Sequence, residues 1–467
     1  MDASLLTDAA AWAKHEFSDA QLNDKRRTDR LVKVAEALAR KPEGALPGSF
    51  GTFKELKATY RLLESPEVTY EQIMAVHCER TQASTRQPGD YLLLEDTTSL
   101  DFTSHPSVKG LGRIGDDRGR GLLLHTTLAL EITGWENDRP QVSLSGIWSQ
   151  EWWARQDTTR CREETRRSRL QRPRESQRWA KAIECSDGPT AGVRWTHVAD
   201  RESDIYEVFL RCRARGSDFI VRANQPRALA KDDHSILELV AQSPVLGHYT
   251  LHLRSRPGQA ARTATLQVRA FTATLRGPWR PDAKLPDVKV NVVQAVETDP
   301  PSNVQPIRWV LFTSWQCDTL AQALQVIGAY AQRWLVEEYH KALKTGAKIE
   351  QSQLSTADRL TALLGVVSIV AVRLLSLKLL VKSCPEEPVE SDETTQIIIT
   401  ILEKKTSRPQ EGWNNRTVLI GIAKLGGFPG RRRDGLPGWI TLWRGLRELM
   451  LLLEGFSIAR EHRRCGE

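Results

Sequence analysis

No two of the seven cysteines (Cys78, Cys161, Cys185, Cys212, Cys317, Cys384 and Cys465) form a Cys-x-x-Cys pair, and their number is odd. That scatter argues against a zinc cluster and a disulfide framework, and it fits a reducing cytoplasm. Long apolar runs are also missing. The longest, "LTALLGVVSIVAV" from Leu360, is closed by Arg373 and Lys378; it reads as a core helix too short for a bilayer, so no membrane partner is expected. The opening "MDASLLTDAAAWAKHEF" lacks the basic-then-apolar order of a secretory leader. There is no internal repeat. The segment "GLGRIG", Gly110 to Gly115, has the outline of a dinucleotide fingerprint but neither closes a strand nor opens a helix, so a nicotinamide site is not expected.

What is present is an ordinary globular composition, with 40% hydrophobic and 27% charged residues over 467 positions, enough for two or three domains. Lys and Arg number 66 against 58 Asp and Glu, a net charge of +8, which favours a polyanionic partner.

Residues 1–66 read as short helices. "NDKRRTDRLVKVAEAL" gathers Arg26, Arg27 and Arg30 on one side, and "TFKELKATYRLL" aligns Lys54, Lys57 and Arg61. Each stripe fits a solvated face or a DNA-docking surface. From Tyr91 strands take over, then strand and helix alternate, which predicts a mixed α/β sheet flanked by helices. Residues 225–308 are mostly strand-like and look like an all-β insertion. The region after the acidic linker "CPEEPVESDET" reads as helical.

Three carboxylates stand out. "DYLLLEDTTSL" is apolar on both faces, as a central strand would be, and ends in Glu95 and Asp96. Alternation places Asp96 on the face of Leu92 and Leu94, opposite Glu95. "VRWTHVADRESDIYEVF" ends a strand at Asp200, before a helix whose start is marked by Ser203 and Asp204. Capping or turn formation would also account for both aspartates. The third is Glu337 in "YAQRWLVEEYHKALK". On one continuous helix Tyr330, Arg333, Glu337 and Lys344 would lie within about 60° of each other, beside an apolar sector holding Leu320, Leu324, Ile327, Trp334 and Leu335. This stripe could be a solvated edge with Glu/Lys pairs. Oxygen-only ligands such as Asp96, Asp200 and Glu337 would suit Mg²⁺ or Mn²⁺.

The ordered set "LLLEDTTSL", "GIWSQEWWAR", "ADRESDIYEVF", "FIVRANQPR", "IRWVLFTS" and "YAQRWLVEEYHKALKTGA" resembles the DDE transposases of bacterial insertion sequences, of the Tn-five and IS-four type. The last motif fits that family's Tyr-x2-Arg-x3-Glu-x6-Lys signature without a gap, and the resemblance covers essentially the whole chain.

It implies a helical N-terminal DNA-binding domain (1–66) and a ribonuclease-H-like catalytic domain (67–380) carrying the β insertion. A helical C-terminal dimerisation region (381–467) would follow. It implies a metal triad of Asp96, Asp200 and Glu337 holding two Mg²⁺ ions, with Mn²⁺ as a substitute. Tyr330, Arg333 and Lys344, with Lys341, would grip DNA phosphates. Trp309 would stack a flipped base, and Arg222 would serve as an active-site arginine. The implied partners are double-stranded DNA (transposon ends and target) and a second copy of the chain, in a bacterial cytoplasm near the nucleoid. The segment from Arg160 to Arg178, with eight arginines, would touch DNA or remain a solvated loop.

Overall fold

Strand β1 (Gly89–Asp101) is an interior strand of the sheet, and its Leu92, Leu93 and Leu94 are fully buried. The computed structural model describes residues 9–41, 46–116, 118–155, 175–184, 186–230, 235–253, 261–280, 283–383, 385–389, 393–431 and 434–464. On one side β1 pairs antiparallel with β3 (Gly119–Glu136), placing Asp96 opposite Thr126. On the other it runs parallel to β5 (Val193–Ala199), and the last pair is Glu95 with Ala199. β1 does not end at Glu95 and Asp96 as the sequence suggested; pairing with β3 carries it on to Asp101. What stops there is the parallel ladder. Asp96 and Asp200 therefore leave it at the same carboxyl edge, where open α/β sheets build sites.

The remaining strands are β2 (Gly112–Ile114), β4 (Arg139–Trp153), β6 (Asp218–Arg222), β7 (Val245–Leu253), β8 (Arg262–Leu275), β9 (Val288–Glu297) and β10 (Arg308–Thr313). Their order is β2-β3-β1-β5-β6-β10-β9-β8-β7, with β4 also paired to β3. "GLGRIG" thus lies at a short edge strand. Between β6 and β10, strands β7 to β9 extend the same sheet through the β9–β10 ladder. That stretch is not wholly β: helix Ile236–Gln242 interrupts it, started by a capping box of Ser235 and Glu238.

The helices before β1 are α1 (Ala9–Phe17), α2 (Lys25–Arg40), α3 (Leu46–Ser49), α4 (Phe53–Glu64) and α5 (Tyr70–Ser84). Within the sheet region α6 (Gln177–Glu184), α7 (Tyr206–Arg215) and α8 (the helix at Ile236) follow. The predicted single helix around Arg333 is broken. α9 (Leu320–Ala331) is capped by Gln332, α10 (Trp334–Lys341) begins two residues later, and Ala342–Gly346 winds as a π-helix. Such a wide turn shifts side chains off the ideal 100° step and often marks functional sites. Trp334, assigned to the apolar sector, is instead 46% exposed.

α11 (Ala357–Ser383) corrects another expectation. Arg373 and Lys378 do not end it, and Ala357–Leu379 is long and apolar enough to cross a membrane by composition alone. Its burial decides the matter, since 94% of that window is packed inside the protein. Arg373 lies under the Trp12 ring at 4.9 Å, and Lys378 pairs with Glu338 at 2.6 Å. α12 (Glu393–Lys405), α13 (Asn415–Leu425) and α14 (Trp439–Arg464) complete the chain. On α14, Ile440, Leu451, Phe456 and Ile458 are exposed, an apolar set suited to a partner surface.

Candidate active site

β1 sends two acids to opposite faces. Glu95 is buried and hydrogen-bonds His197 Nδ1, with His125 Nε2 3.8 Å from its other oxygen. Burial alone would raise its pKa, yet the two imidazoles outweigh burial and hold the carboxyl below its usual range. Asp96, on the other face, has His340 Nδ1 3.6 Å from its Oδ2.

Asp200 follows β5 directly and caps the single turn Arg201–Ser203, accepting from the Glu202 amide at 2.8 Å. The capping role read from the sequence is therefore real. Ser203 and Asp204 do not start α7, whose N-cap is Ile205; Asp204 instead accepts from the Asn224 and Gln225 amides and pairs with Arg227. Burial pushes the Asp200 carboxyl up, and the Asp96 charge pushes it further. The Glu202 amide, Arg333 and Arg222 pull the other way without cancelling the rise. Asp96 and Asp200 thus share one electrostatic field.

Glu337 sits in the first turn of α10 and pairs with Arg333 one turn back. Arg333 is buried, and burial works against its charge; Tyr330, Glu337 and Asp96 together outweigh it and raise the guanidinium's pKa. Tyr330 is buried too, which raises its phenol, while Arg333 and Arg222 oppose that rise. Trp309, half-buried on β10, meets the Tyr330 ring edge-on at 5.9 Å. Arg222, at the end of β6, donates to the Arg308 carbonyl at 3.1 Å. Lys344, on the π turn, has Nζ 4.0 Å from Glu350, and burial lowers its pKa against the pull of Glu350, Asp96 and Asp101. Lys341 follows Glu337 by one turn of α10, with Nζ 3.4 Å from Glu338 and over the Trp334 ring that Arg333 also meets.

Asp96, Asp200, Arg333, Glu337, Tyr330, Arg222 and Lys344 are therefore electrostatic neighbours. Among the described residues, no three Asp, Glu, His or Cys side chains form a ready metal-holding group; the Glu337 carboxylate faces Arg333. The donors nonetheless fit a hard divalent ion. They are all oxygens, and a bound cation would offset the burial and, after it, the Asp96 charge that raise the Asp200 pKa.

The N-terminal arginines are partly engaged locally. Arg26 pairs with Asp24 at 2.9 Å, and Arg27 donates to the Leu22 carbonyl at 3.1 Å; Arg30 is half-buried. On α4, Lys54, Lys57 and Arg61 are all exposed, beside a 78% exposed Phe53. Most of the arginine-rich segment, residues 156–174, lies outside the described residues. Arg178, at its end, is bound to Glu151 at 2.7 Å and stacks on Trp153 at 3.8 Å.

Two neighbours of the site escaped the sequence reading. Glu202 is pushed up by burial and by the Asp200 and Asp96 charges, so it stands at the same edge. Its signal was its place two residues after Asp200. His340 lies one turn after Glu337, a spacing that puts both on the same side of α10.

Three family models match the chain. "Transposase DDE domain" covers residues 196–373, a span holding Asp200 and Glu337 but beginning after Asp96. The protein is thus a metal-dependent enzyme that cleaves DNA and transfers strands. "Transposase DNA-binding" covers residues 9–68 and "Transposase Tn5 dimerisation domain" residues 367–466. With these at the two ends, the chain belongs to the DDE transposases of the Tn5 type, binds DNA and forms homodimers.

Proposed function

We propose that this transposase excises its element by a cut-and-paste route through a hairpin intermediate, using Asp96, Asp200 and Glu337 as the ligands of two Mg²⁺ ions. The observation that carries this reading is the shared field of Asp96 and Asp200, with Arg333 answering to both Asp96 and Glu337. Bound divalent ions would activate an attacking oxygen and take up charge on the leaving one. Glu337 must leave Arg333 in part to join them.

The catalytic unit is taken as ribonuclease-H-like, with β7 to β9 as its insertion; the parallel β1-β5-β6 core with antiparallel strands on both sides supports this. In the first step water attacks the phosphate at the element's end, and the 3′-oxygen leaves as a hydroxyl. That hydroxyl attacks the opposite strand and displaces the flanking DNA, closing a hairpin. Water reopens it, and the 3′-hydroxyl then attacks target DNA.

Tyr330, Arg333, Lys344 and Arg222 would hold phosphates at the reacting strand, with Lys341, one turn after Glu337, adding to them. Trp309 would receive the base expelled from the tight hairpin, since stacking offsets part of the cost of flipping. The stripe of Lys54, Lys57 and Arg61, together with Arg26, Arg27 and Arg30, would dock the terminal inverted repeat. The cytoplasm is the expected place of action, and a paired-end dimer the expected active form.

The test is Mg²⁺-dependent cleavage of DNA carrying the inverted repeats that flank the reading frame. Asp96→Ala, Asp200→Ala and Glu337→Ala should each abolish cleavage while end binding persists. Undiminished cutting by any one removes it from the triad.

A further inference from the structure

Behind Asp96 runs a chain of polar groups, buried except for the half-buried Gln150, drawn from four other positions in the fold. Tyr70, first residue of α5, donates its hydroxyl to Gln150 Oε1 at 2.7 Å. Gln150, on β4, donates through Nε2 to Thr126 Oγ1 at 2.7 Å and to the Tyr339 hydroxyl at 2.9 Å. Thr126, on β3, lies 3.2 Å from His340 Nε2, and His340 Nδ1 lies 3.6 Å from Asp96 Oδ2. Thr126 and His340 are 0% and 5% exposed, so no bulk water substitutes for these contacts.

A simple proton arrangement satisfies the chain. With a carboxylate oxygen facing it at 3.6 Å, Nδ1 is the natural carrier of the imidazole proton. Nε2 is then an acceptor, filled by the Thr126 hydroxyl, whose oxygen in turn accepts from Gln150. The ring is thus held in rotation between Thr126 and Asp96.

We infer that His340 is the positioning residue of Asp96: held by Thr126, Gln150 and Tyr70, it aims Nδ1–H at one carboxylate oxygen and leaves the other turned toward the metal. This rests on the proposed metal role of Asp96. Ligand carboxylates need such outer partners, and their loss typically weakens metal affinity or activity about 10- to 100-fold. α10 would then serve the site twice, through Glu337 and, one turn later, through His340. Because Tyr70 follows the matched DNA-binding segment within two residues, the chain also ties the start of the catalytic unit to the strand bearing Asp96.

The test uses the full-length protein with Mn²⁺ as probe. Mn²⁺ binding is titrated by electron paramagnetic resonance, alongside end-DNA binding and the Mn²⁺ needed for half-maximal nicking. His340→Leu removes the donor, His340→Gln moves it to the Nε2 position, and His340→Asn keeps an N–H where Nδ1 was. Leu and Gln should weaken Mn²⁺ binding and raise the Mn²⁺ requirement about 10- to 100-fold, with end binding unchanged and Asn recovering most of the loss. If Leu does not fold, the Asn and Gln comparison decides. Mn²⁺ binding and nicking at parental levels in Gln, or Asn no better than Gln, would overturn the inference. Asp96→Ala runs in parallel. Should it bind Mn²⁺ and nick normally, the metal reading itself falls; should it lose both while Gln loses neither, only the role of His340 falls.

Discussion

Arg333, the N-cap of α10 just after the helix break, forms an ion pair with Glu337 in the first turn of α10, the arginine side chain 10% and the glutamate 27% exposed. The carboxylate assigned to the metal is thus held by the arginine assigned to the DNA phosphates, so the arrival of one ligand releases a partner for the other.

Removing that arginine should separate the steps. Arg333→Ala is expected to slow hairpin closure about 10²-fold, the scale for losing one donor at a developing charge, and the first nick by less. Arg333→Lys should recover only part, because an ammonium lacks the planar fork. Single-turnover gels resolving nicked from hairpin product check this, and equal loss at both steps would count against a phosphate clamp.

Asp200 makes a stability prediction whose sign follows from burial. Its folded-state pKa is raised, so its contribution is favourable below the unfolded value and is lost as pH rises through the folded value. At neutral pH without metal, Asp200→Asn should be more stable than the parent by about 1 kcal/mol, the usual size of such relief. The gap should close in acid and on adding Mg²⁺, which stabilises only the parent. Thermal unfolding at three pH values, with and without Mg²⁺, measures it; a less stable Asn variant at pH 7 contradicts the account.

Trp309 offers a ring that is half-buried against Tyr330. Trp309→Ala should cut hairpin yield about 10-fold, in line with the roughly 1–3 kcal/mol of base stacking, whereas Trp309→Phe keeps a platform and most of the yield. A fluorescent base analogue at the end of the element would report the flip. Equal signals in both variants would assign Trp309 to the core alone.

Asp204 tests structure without chemistry. Its side chain is fully buried against Arg227 and accepts two backbone amides at 2.7 and 2.8 Å. Asp204→Ala takes the carboxylate from two backbone amides and from the half-buried Arg227, which keeps only the Asp204 carbonyl, and should cost about 3 kcal/mol in chemical denaturation. A loss under 1 kcal/mol would show that water reaches the pair.

The sequence by itself settled the central strand, since leucines on both faces of "YLLLED" admit no exposed position, and it settled the motif order that marks the family. The short-range alternation also put Glu95 and Asp96 on opposite faces, because side chains along a strand point up and down in turn. Long-range decisions belonged to the tertiary structure. β1 runs past Asp96 only because β3 pairs with it, α11 is a core helix only because its neighbours cover it, and the helix through Arg333 breaks and widens into a π turn. Local propensity cannot see a partner hundreds of residues away. The field joining Asp96, Asp200 and Arg333, and the polar chain from Tyr70 to His340, exist only where the sheet and α10 bring them together.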